Sequence, residues 1–313
     1  MMSDYGVIFP GQGSQNTEML SLYLESKIFK ETISEASSIL GYDINSVVKD
    51  ESKLNQTLFT QPIVLATSVA MWNVWKDKAS KAPIMAAGHS LGEYTAFVAN
   101  GWISFSECLL VVKKRAEYMQ EAMKDINGGM AAVIGLNRSK IKELCQQLSR
   151  KEEIIEAVNF NSAQQIVVAG HRNLIEKSTE AFKKAGAKLV KVIPVSIAAH
   201  TSLLEGCKEK LYKLLKNIDY SSQNYPVLHN VDAESKDNET AIIESLASQV
   251  YSPVEWTKII ENMKNFGIQK FVEIGPGNVL TGLNKRIDKE LVTISIGNYE
   301  NIGDALELIS CEK

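Results

Sequence analysis

The chain has 313 residues, of which 45% are hydrophobic and 23% are charged, with a formal net charge of −3. This length and composition are ordinary for a globular protein with a sizeable core. A general phosphate-binding surface usually brings a strong excess of lysine and arginine, so the slight negative charge argues against a nucleic acid partner.

Cysteine spacing and hydropathy point to a reducing, aqueous compartment. The four cysteines, Cys108, Cys145, Cys207 and Cys311, are widely scattered and form no Cys-x-x-Cys pair, so we expect neither disulfides nor a metal site. The N-terminal residues 1–5 carry no basic region or signal-type apolar run, and no stretch of about 18 apolar residues occurs. We therefore predict a cytoplasmic protein with no membrane partner.

The first predicted strand, Gly6-Val7-Ile8-Phe9, runs into the glycine-rich turn Pro10-Gly11-Gln12-Gly13-Ser14-Gln15 ahead of a helical stretch. Backbone N–H groups at such a turn can hold a phosphate or another anion. The turn lacks the Lys-Ser/Thr ending of a P-loop and the spacing of a dinucleotide-binding fingerprint, which argues against a nucleotide. Placement of a backbone N–H group in an active site is the better interpretation.

A second strand-to-helix turn follows further along the chain. Thr60-Gln61-Pro62-Ile63 predicts the start of a helix, with proline near its first turn. The apolar run 83–87 then leads into Gly88-His89-Ser90-Leu91-Gly92 and a helix-compatible stretch over 93–99. Glycines on both sides of Ser90 permit a tight turn that projects the serine near a helix N-terminus, which favours a developing oxyanion. The pattern is typical of a nucleophile for acyl transfer, and an ordinary turn with a surface serine is the alternative.

The next helix is predicted from Ser104 to about Met123, because Ser104-Phe105-Ser106-Glu107 has the form of a capping box. With about 100° per residue, Arg115 falls within the apolar stripe of this helix that faces the core. An arginine in that position needs an anion, because an unpaired buried charge is costly. Two interpretations stay open: a structural ion pair with a protein carboxylate, or a bidentate clamp for the carboxylate of a substrate.

Over residues 130–195 the predicted elements follow the order strand, helix, strand, strand, helix, strand. This is the order of a ferredoxin-like unit. The six predicted elements are 130–136, 139–148, 154–160, 165–169, 173–185 and 188–195, and later strands at 226–231, 270–274 and 293–296 are expected to complete the main sheet. We predict an α/β fold with a large hydrolase-like domain of mainly parallel sheet over 1–128 and 198–313, and a small ferredoxin-like subdomain over 129–197. The cleft between them is the expected place for a site.

A serine nucleophile needs a base, and the chain contains four histidines. His200 follows the insert at the predicted cleft edge and comes after the serine in the chain, so it is the candidate base. His89 adjoins Ser90, where a structural or site-lining role is expected, and His171 is expected in a solvated surface turn. His229 lies in a predicted strand, either as an interior histidine or as one that lines the site. No acidic residue can be singled out to orient His200.

Taken together, these segments resemble the malonyl-CoA:acyl carrier protein transacylases of bacterial fatty acid synthesis, which are related to the acyltransferase domains of polyketide synthases. The resemblance covers nearly the whole chain. It rests on Phe9 to Gln15, Thr60 to Pro62, Gly88 to Tyr94, Arg115, Asn159 to Ser162, Ser196 to His200, Gln249, Pro253 to Thr257 and Glu273 to Gly277. The occurrence of all these segments in this order is far more specific than any one motif.

The resemblance implies a ping-pong acyl transfer through a malonyl-serine intermediate. It implies that Ser90 attacks the thioester of malonyl-CoA, that His200 removes the serine proton, and that Arg115 pairs with the free carboxylate of malonate. The malonyl group then passes to the phosphopantetheine thiol of an acyl carrier protein and so supplies fatty acid elongation.

The resemblance also implies roles for backbone groups. The oxyanion would be held by the N–H groups of Gln12 and Leu91, and the backbone carbonyl of Gln249 would orient the base in place of a triad acid. No metal and no permanently bound cofactor are expected, because malonyl-CoA is a substrate and phosphopantetheine arrives on the carrier. We expect a monomer whose partners are CoA, malonyl-CoA and acyl carrier protein.

Two departures from the family pattern concern the acyl pocket. The segment Ile197-Ala198-Ala199-His200 lacks the proline or bulky aromatic residue often found just before the histidine, and Leu204 replaces a common methionine. The sequence therefore does not decide whether the pocket accepts methylmalonyl as well as malonyl. Lys191, Lys285 and Arg286 are candidates by charge for docking an acidic carrier, with solvated surface charge as the alternative.

Other functions remain compatible with the same residues. A free-standing acyltransferase that serves a polyketide synthase would use identical chemistry with another carrier. A hydrolase that removes neutral acyl chains would leave the inward Arg115 without a partner, which argues against it. A non-catalytic carrier-binding scaffold would not need Ser90, His200 and Arg115 together.

Overall fold

The computed structural model describes residues 4–310, so Cys311 and the N-terminal residues 1–3 lie outside the described residues. The strands are β1 (Gly6–Phe9), β2 (Met85–Gly88), β3 (Gly128–Ile134), β4 (Ile155–Ser162), β5 (Gln165–His171), β6 (Leu189–Ile193), β7 (Val227–Leu228), β8 (Lys270–Glu273) and β9 (Val292–Ser295). The helices are α1 (Lys27–Leu40), α2 (Ile44–Lys49), α3 (Glu51–Leu54), α4 (Thr57–Lys78), α5 (Leu91–Ala99), α6 (Phe105–Ala122), α7 (Arg138–Leu148), α8 (Arg172–Lys184), α9 (Cys207–Leu215), α10 (Glu239–Ser248), α11 (Trp256–Asn265), α12 (Val279–Ile287) and α13 (Ile302–Ser310). Within residues 4–310 no helix is long and apolar enough to cross a bilayer.

The main sheet has the order β7-β2-β1-β8-β9, and every paired strand in it is parallel. The strands predicted at 226–231, 270–274 and 293–296 are confirmed as members of this sheet. Phe9 pairs with Gly88, so the carboxyl ends of β1 and β2 lie side by side. In open parallel sheets this edge is where ligands bind, and here it carries both glycine-containing turns.

The second sheet has the order β4-β5-β3-β6 with antiparallel pairing throughout. Helices α7 and α8 connect its strands, so the predicted ferredoxin-like order of elements is confirmed, with boundaries that differ by up to two residues. The α/β fold class is confirmed as well. The domain limits given above stay a prediction.

Strand β4 fastens the second sheet to the main body. Val254 N donates to Val158 O over 2.8 Å, and Phe160 N donates to Val254 O over 2.9 Å, so the segment before α11 continues the edge of this sheet. Arg138 of α7 also forms a two-pronged ion pair with Glu255, with N–O distances of 2.6 and 2.5 Å. These contacts hold the second sheet against the segment that leads into α11.

The sequence predicted that α4 starts at Thr60-Gln61-Pro62-Ile63, and the structure starts it three residues earlier. The helix begins at Thr57, because Phe59 N and Thr60 N both donate to Gln56 O and close the first turn upstream of the proline. Pro62 is therefore the sixth residue of the helix, where its missing N–H costs one intrahelical bond. Buried packing along most of α4 offsets that loss.

The turn between β2 and α5 requires glycine on both sides of Ser90. A Cβ atom added to Gly88 would lie 1.9 Å from the carbonyl carbon of Gly92, and a Cβ added to Gly92 would lie 2.0 Å from the backbone oxygen of Phe9. Both clashes are with main-chain atoms that cannot rotate away. The crossing of β1 and the first turn of α5 thus depends on these two residues.

Replacement of Gly92 by alanine is expected to lower the free energy of unfolding by about 2–4 kcal/mol, because the added methyl group meets backbone. Gly303→Ala is the matched control, since a Cβ there meets nothing within 4 Å and the position is helical. Urea denaturation of both variants measures the difference. A Gly92→Ala protein as stable as the parent would contradict the close packing of the turn.

Candidate active site

Ser90 occupies a strained turn that the Asn230 side chain holds through two hydrogen bonds. Its backbone has φ 52° and ψ −112°, outside the regions that L-residues commonly adopt. Ser90 N donates to Asn230 Oδ1 over 2.6 Å, and Asn230 Nδ2 donates to the carbonyl of Gly88 over 2.7 Å. A single asparagine thus secures both ends of the turn, and the serine hydroxyl projects away from it.

His200 lies within hydrogen-bonding distance of that hydroxyl. Its Nε2 is 2.7 Å from Ser90 Oγ, and its Nδ1 is 2.8 Å from the carbonyl of Gln249 and 3.1 Å from the carbonyl of Ser252. Carbonyl oxygens only accept hydrogen bonds, so Nδ1 carries the proton and Nε2 is left to accept from the serine. This is the arrangement that a general base requires.

Burial and charge keep the His200 ring neutral. Only 3% of the residue is exposed, and desolvation together with the nearby positive charge of Arg115 lowers its pKa from 6.5 to about 3. The two carbonyl contacts oppose this shift because they favour the protonated ring. The ring is therefore in its basic form throughout the neutral pH range.

Arg115 lies in the interior beside the nucleophile, 1% exposed. Its Nη1 donates to Gln61 Oε1 over 2.6 Å, and its Nη2 donates to Gln249 Oε1 over 2.9 Å and weakly to Ser90 Oγ over 3.4 Å. Among residues 4–310 no carboxylate forms an ion pair with this guanidinium, and burial lowers its pKa. Each Nη carries two N–H bonds, so one is free on Nη1, and the second on Nη2 makes only the weak contact with Ser90 Oγ, which a bidentate anion can replace.

The backbone N–H groups of Gln12 and Leu91 belong to two neighbouring turns that line the same cavity as Ser90. A Cβ added to Gly11 would lie 2.5 Å from the carbonyl of His89 and 3.6 Å from Leu91 N, so the first turn rests directly on the second. In the described part of the chain, no acceptor bonds the N–H of Gln12 or of Leu91. This pair suits an oxyanion that develops on the acyl carbon attached to Ser90.

These groups open into one cavity of about 570 Å³, which we name the Ser90 cavity. Gln12, Ser90, Leu91, Arg115 and His200 all line it. The wall also carries seven apolar residues, which are Met119, Met130, Ile193, Pro194, Val195, Ile197 and Ala199. Gln249 lies behind the cavity, fully buried, and reaches it only through its partners.

The other three histidines bond other partners and none of them bonds the serine hydroxyl. His89 lines the cavity and bonds Asn161 Oδ1 through Nε2 over 2.8 Å. His229 is an interior residue whose Nδ1 lies 2.7 Å from Glu93 Oε1. His171 is half-buried and its Nδ1 accepts from the backbone N–H of Ile154, so it is less solvated than the sequence predicted.

Sequence reasoning missed four side chains of the site. They are those of Gln61, Glu93, Asn230 and Gln249, all fully or nearly fully buried. Each is a polar residue within or beside an apolar segment, which is the one signal that was available. Their partners are far away in the chain, however, so no local pattern indicates which group each one contacts. Within residues 4–310 no cluster of metal-ligating side chains occurs.

Comparisons with known proteins agree on one family. The family model described as acyl transferase domain matches residues 7–299. The malonyl CoA-acyl carrier protein transacylase of Escherichia coli strain K12 is 41% identical over 310 residues, which cover 98% of this chain and 100% of that protein. The structure of the Coxiella burnetii malonyl CoA-acyl carrier protein transacylase is 37% identical, with a TM-score of 0.96 and 99% of each chain covered.

One similar structure includes a carrier protein. It is a type II polyketide synthase acyl-carrier protein in complex with its malonyl-transacylase, and the matched chain is 40% identical with a TM-score of 0.94. The match covers 97% of this chain and 99% of that one.

The surroundings of His200 predict that its imidazole does not titrate near the usual pKa of histidine. Because burial and Arg115 lower the pKa of His200 to about 3, long-range ¹H–¹⁵N NMR should find the ring neutral, with the proton on Nδ1, from pH 8 down to about pH 5. The His200→Gln protein identifies the signal by its loss. A midpoint near 6.5, or a proton on Nε2, would contradict this geometry.

Proposed function

This chain belongs to the acyl transferase family and, within it, to the malonyl-CoA:acyl carrier protein transacylases, and we propose that its Ser90 cavity carries out their reaction with Ser90 as the nucleophile. The protein is an acyl-carrier-protein S-malonyltransferase, which moves a malonyl group from malonyl-CoA to an acyl carrier protein. The observation that carries the assignment of residues is the buried Arg115 guanidinium, 3.4 Å from the Ser90 hydroxyl and without an ion-pair partner in residues 4–310.

In the first half-reaction Ser90 Oγ attacks the thioester carbon of malonyl-CoA and gives its proton to His200 Nε2. The thioester oxygen becomes an oxyanion and accepts from the N–H groups of Gln12 and Leu91. The carbon–sulfur bond then breaks, and the CoA sulfur leaves as a thiol with the proton from His200. The product is a malonyl ester on Ser90.

The second half-reaction repeats these steps with the carrier. The thiol of phosphopantetheine gives its proton to His200 Nε2, and its sulfur attacks the ester carbon on Ser90. The same two N–H groups hold the oxyanion, and Ser90 Oγ leaves with the proton from the histidine. The Gln249 and Ser252 carbonyls keep the ring in the required tautomer through both halves.

Arg115 selects and retains the malonyl group. A carboxylate that binds both Nη atoms neutralises a charge whose hydrogen bonds, within residues 4–310, go to neutral amide oxygens and a hydroxyl. It also offsets the effect of the Arg115 charge, which is one of the causes that lower the pKa of His200, so the base is strengthened when the correct acyl group is present. An acyl chain without a carboxylate offers neither effect.

The two departures from the family pattern have different surroundings. Ile197 and Ala199 line the Ser90 cavity beside the base, so they contact the space for the acyl α-carbon. Leu204 is fully buried and lies outside the cavity wall. Selection between malonyl and methylmalonyl is therefore assigned to residues 197 and 199.

The carrier is proposed to be that of fatty acid synthesis, as for the bacterial relatives. A polyketide carrier is the second candidate, because the polyketide synthase complex is as similar to this chain as the other relatives. Transfer rates to purified carriers of both kinds separate the two. A cytoplasmic location, a monomeric state, the lack of a bound cofactor, and carrier docking at Lys191, Lys285 and Arg286 stay predictions.

Intact-mass measurement after mixing with malonyl-CoA tests the covalent step. One malonyl group should appear on the parent protein and none on Ser90→Ala, because the ester needs the hydroxyl. Ser196→Ala is the matched control, since that serine is exposed near the cavity and should leave the adduct unchanged. An adduct that persists in Ser90→Ala would refute the mechanism.

Replacement of Arg115 by alanine should affect the acylation of Ser90 by malonyl-CoA much more than acylation by acetyl-CoA. The kcat/KM for malonyl-CoA is expected to fall by roughly 10²–10³-fold, as for the loss of one partner of a buried charge pair, while acylation by acetyl-CoA falls far less. The pKa of His200 should rise at the same time, because one cause of its depression is removed. Equal losses for both acyl groups would count against a carboxylate clamp.

A further inference from the structure

The Gln249 side chain contacts the nucleophile turn and the arginine at once. Its Oε1 accepts from Arg115 Nη2 over 2.9 Å, while its Nε2 donates to the backbone oxygen of Ser90 over 2.8 Å. The same Nε2 lies 2.8 Å from Glu93 Oε2. One residue therefore joins the carboxylate clamp to the turn, in addition to the contact that its backbone carbonyl makes with His200.

These partners leave only one orientation for the amide. Arg115 is a donor only, so the group that faces it must be the amide oxygen. The carbonyl of Ser90 and the carboxyl of Glu93 are acceptors, so the group that faces them must be the NH₂. If the amide rotated by 180°, all three contacts would be lost together.

Glu93 is the buried anchor of this arrangement. It is 0% exposed, and its Oε1 faces His229 Nδ1 over 2.7 Å. Its Oε2 accepts from Asn230 N over 3.1 Å and from Gln249 Nε2 over 2.8 Å. It lies on α5, behind Ser90 and away from the wall of the cavity, so it touches no substrate.

We propose that the Gln249 side chain, held by Glu93, is a positioning residue for Arg115 and thereby sets the preference for acyl groups that end in a carboxylate. Gln249 Oε1 on one side and Gln61 Oε1 on the other hold the guanidinium so that its free N–H bonds face the acyl group on Ser90. Without Gln249 Oε1 the guanidinium turns toward other acceptors. Its two Nη groups then no longer align with the two oxygens of the malonyl carboxylate. The inference rests on the proposed function, because it concerns how that function chooses its substrate.

The test compares acylation of Ser90 by malonyl-CoA and by acetyl-CoA in single-turnover experiments. Gln249→Met removes the amide but keeps the backbone carbonyl for His200, and Glu93→Met removes the acceptor that orients the amide. Each change is expected to lower the malonyl-to-acetyl ratio of kcat/KM roughly tenfold, the effect of one lost hydrogen bond to a charged group. The double variant should lose no more than either single variant, because both act through one contact.

Two further variants separate positioning from general damage. Glu93→Gln should keep the ratio at or above that of the parent, since its amide oxygen can still accept from Gln249 Nε2 while His229 adopts its other tautomer. Thr95→Val is the matched control on α5, because Thr95 is fully buried and its hydroxyl has no partner in the described residues. It should leave the ratio unchanged.

The outcomes are distinguishable. If Gln249→Met lowers malonyl and acetyl acylation equally, or if the effects of the two changes add in the double variant, the inference is overturned. The proposed function would still stand. If Glu93→Met does not fold, Gln249→Met decides alone, and an unchanged ratio overturns the inference. Absence of a malonyl adduct on the parent protein would instead overturn the proposed function together with the inference.

Discussion

A buried guanidinium needs acceptors for its N–H bonds and an anion for its charge. The choice of partners for Arg115 therefore determines much of the chemistry of the Ser90 cavity. The protein supplies two amide oxygens, from Gln61 and Gln249, rather than a carboxylate within ion-pair distance in residues 4–310. The charge therefore stays available, and it lowers the pKa of the neighbouring His200. A substrate carboxylate completes the site, which is why charge, base strength and acyl preference are linked in the proposed mechanism.

The fold was predictable because its signals are local. Strand β1, the glycine-flanked turn at Ser90 and the capping box at Ser104 each occupy a few consecutive residues, and the structure places them as predicted. The burial of Arg115 followed from helical periodicity alone. The start of α4 was misplaced because hydrogen bonds from Phe59 N and Thr60 N to Gln56 O close a first turn upstream of Pro62, which the proline signal does not indicate.

The supporting contacts of the site were not predictable, because they join distant parts of the chain. Asn230 bonds Ser90 across 140 positions, and Gln249 bonds Arg115 across 134. No local sequence pattern predicts the partner of either residue, because amide side chains form similar hydrogen bonds at many places in a protein. Only the three-dimensional arrangement identifies Glu93 as the acceptor that the backbone N–H of Asn230 and the side-chain amide of Gln249 share.

The structure of the malonyl-enzyme is the most direct measurement of the central claim, that Ser90 carries a malonyl group held at both ends. The account predicts an ester at Ser90 Oγ, its carbonyl oxygen about 2.7–3.1 Å from Gln12 N and Leu91 N, and both carboxylate oxygens about 2.7–2.9 Å from the Nη atoms of Arg115. A malonyl carboxylate in solvent, with Arg115 bonded only to its amide partners, would contradict it.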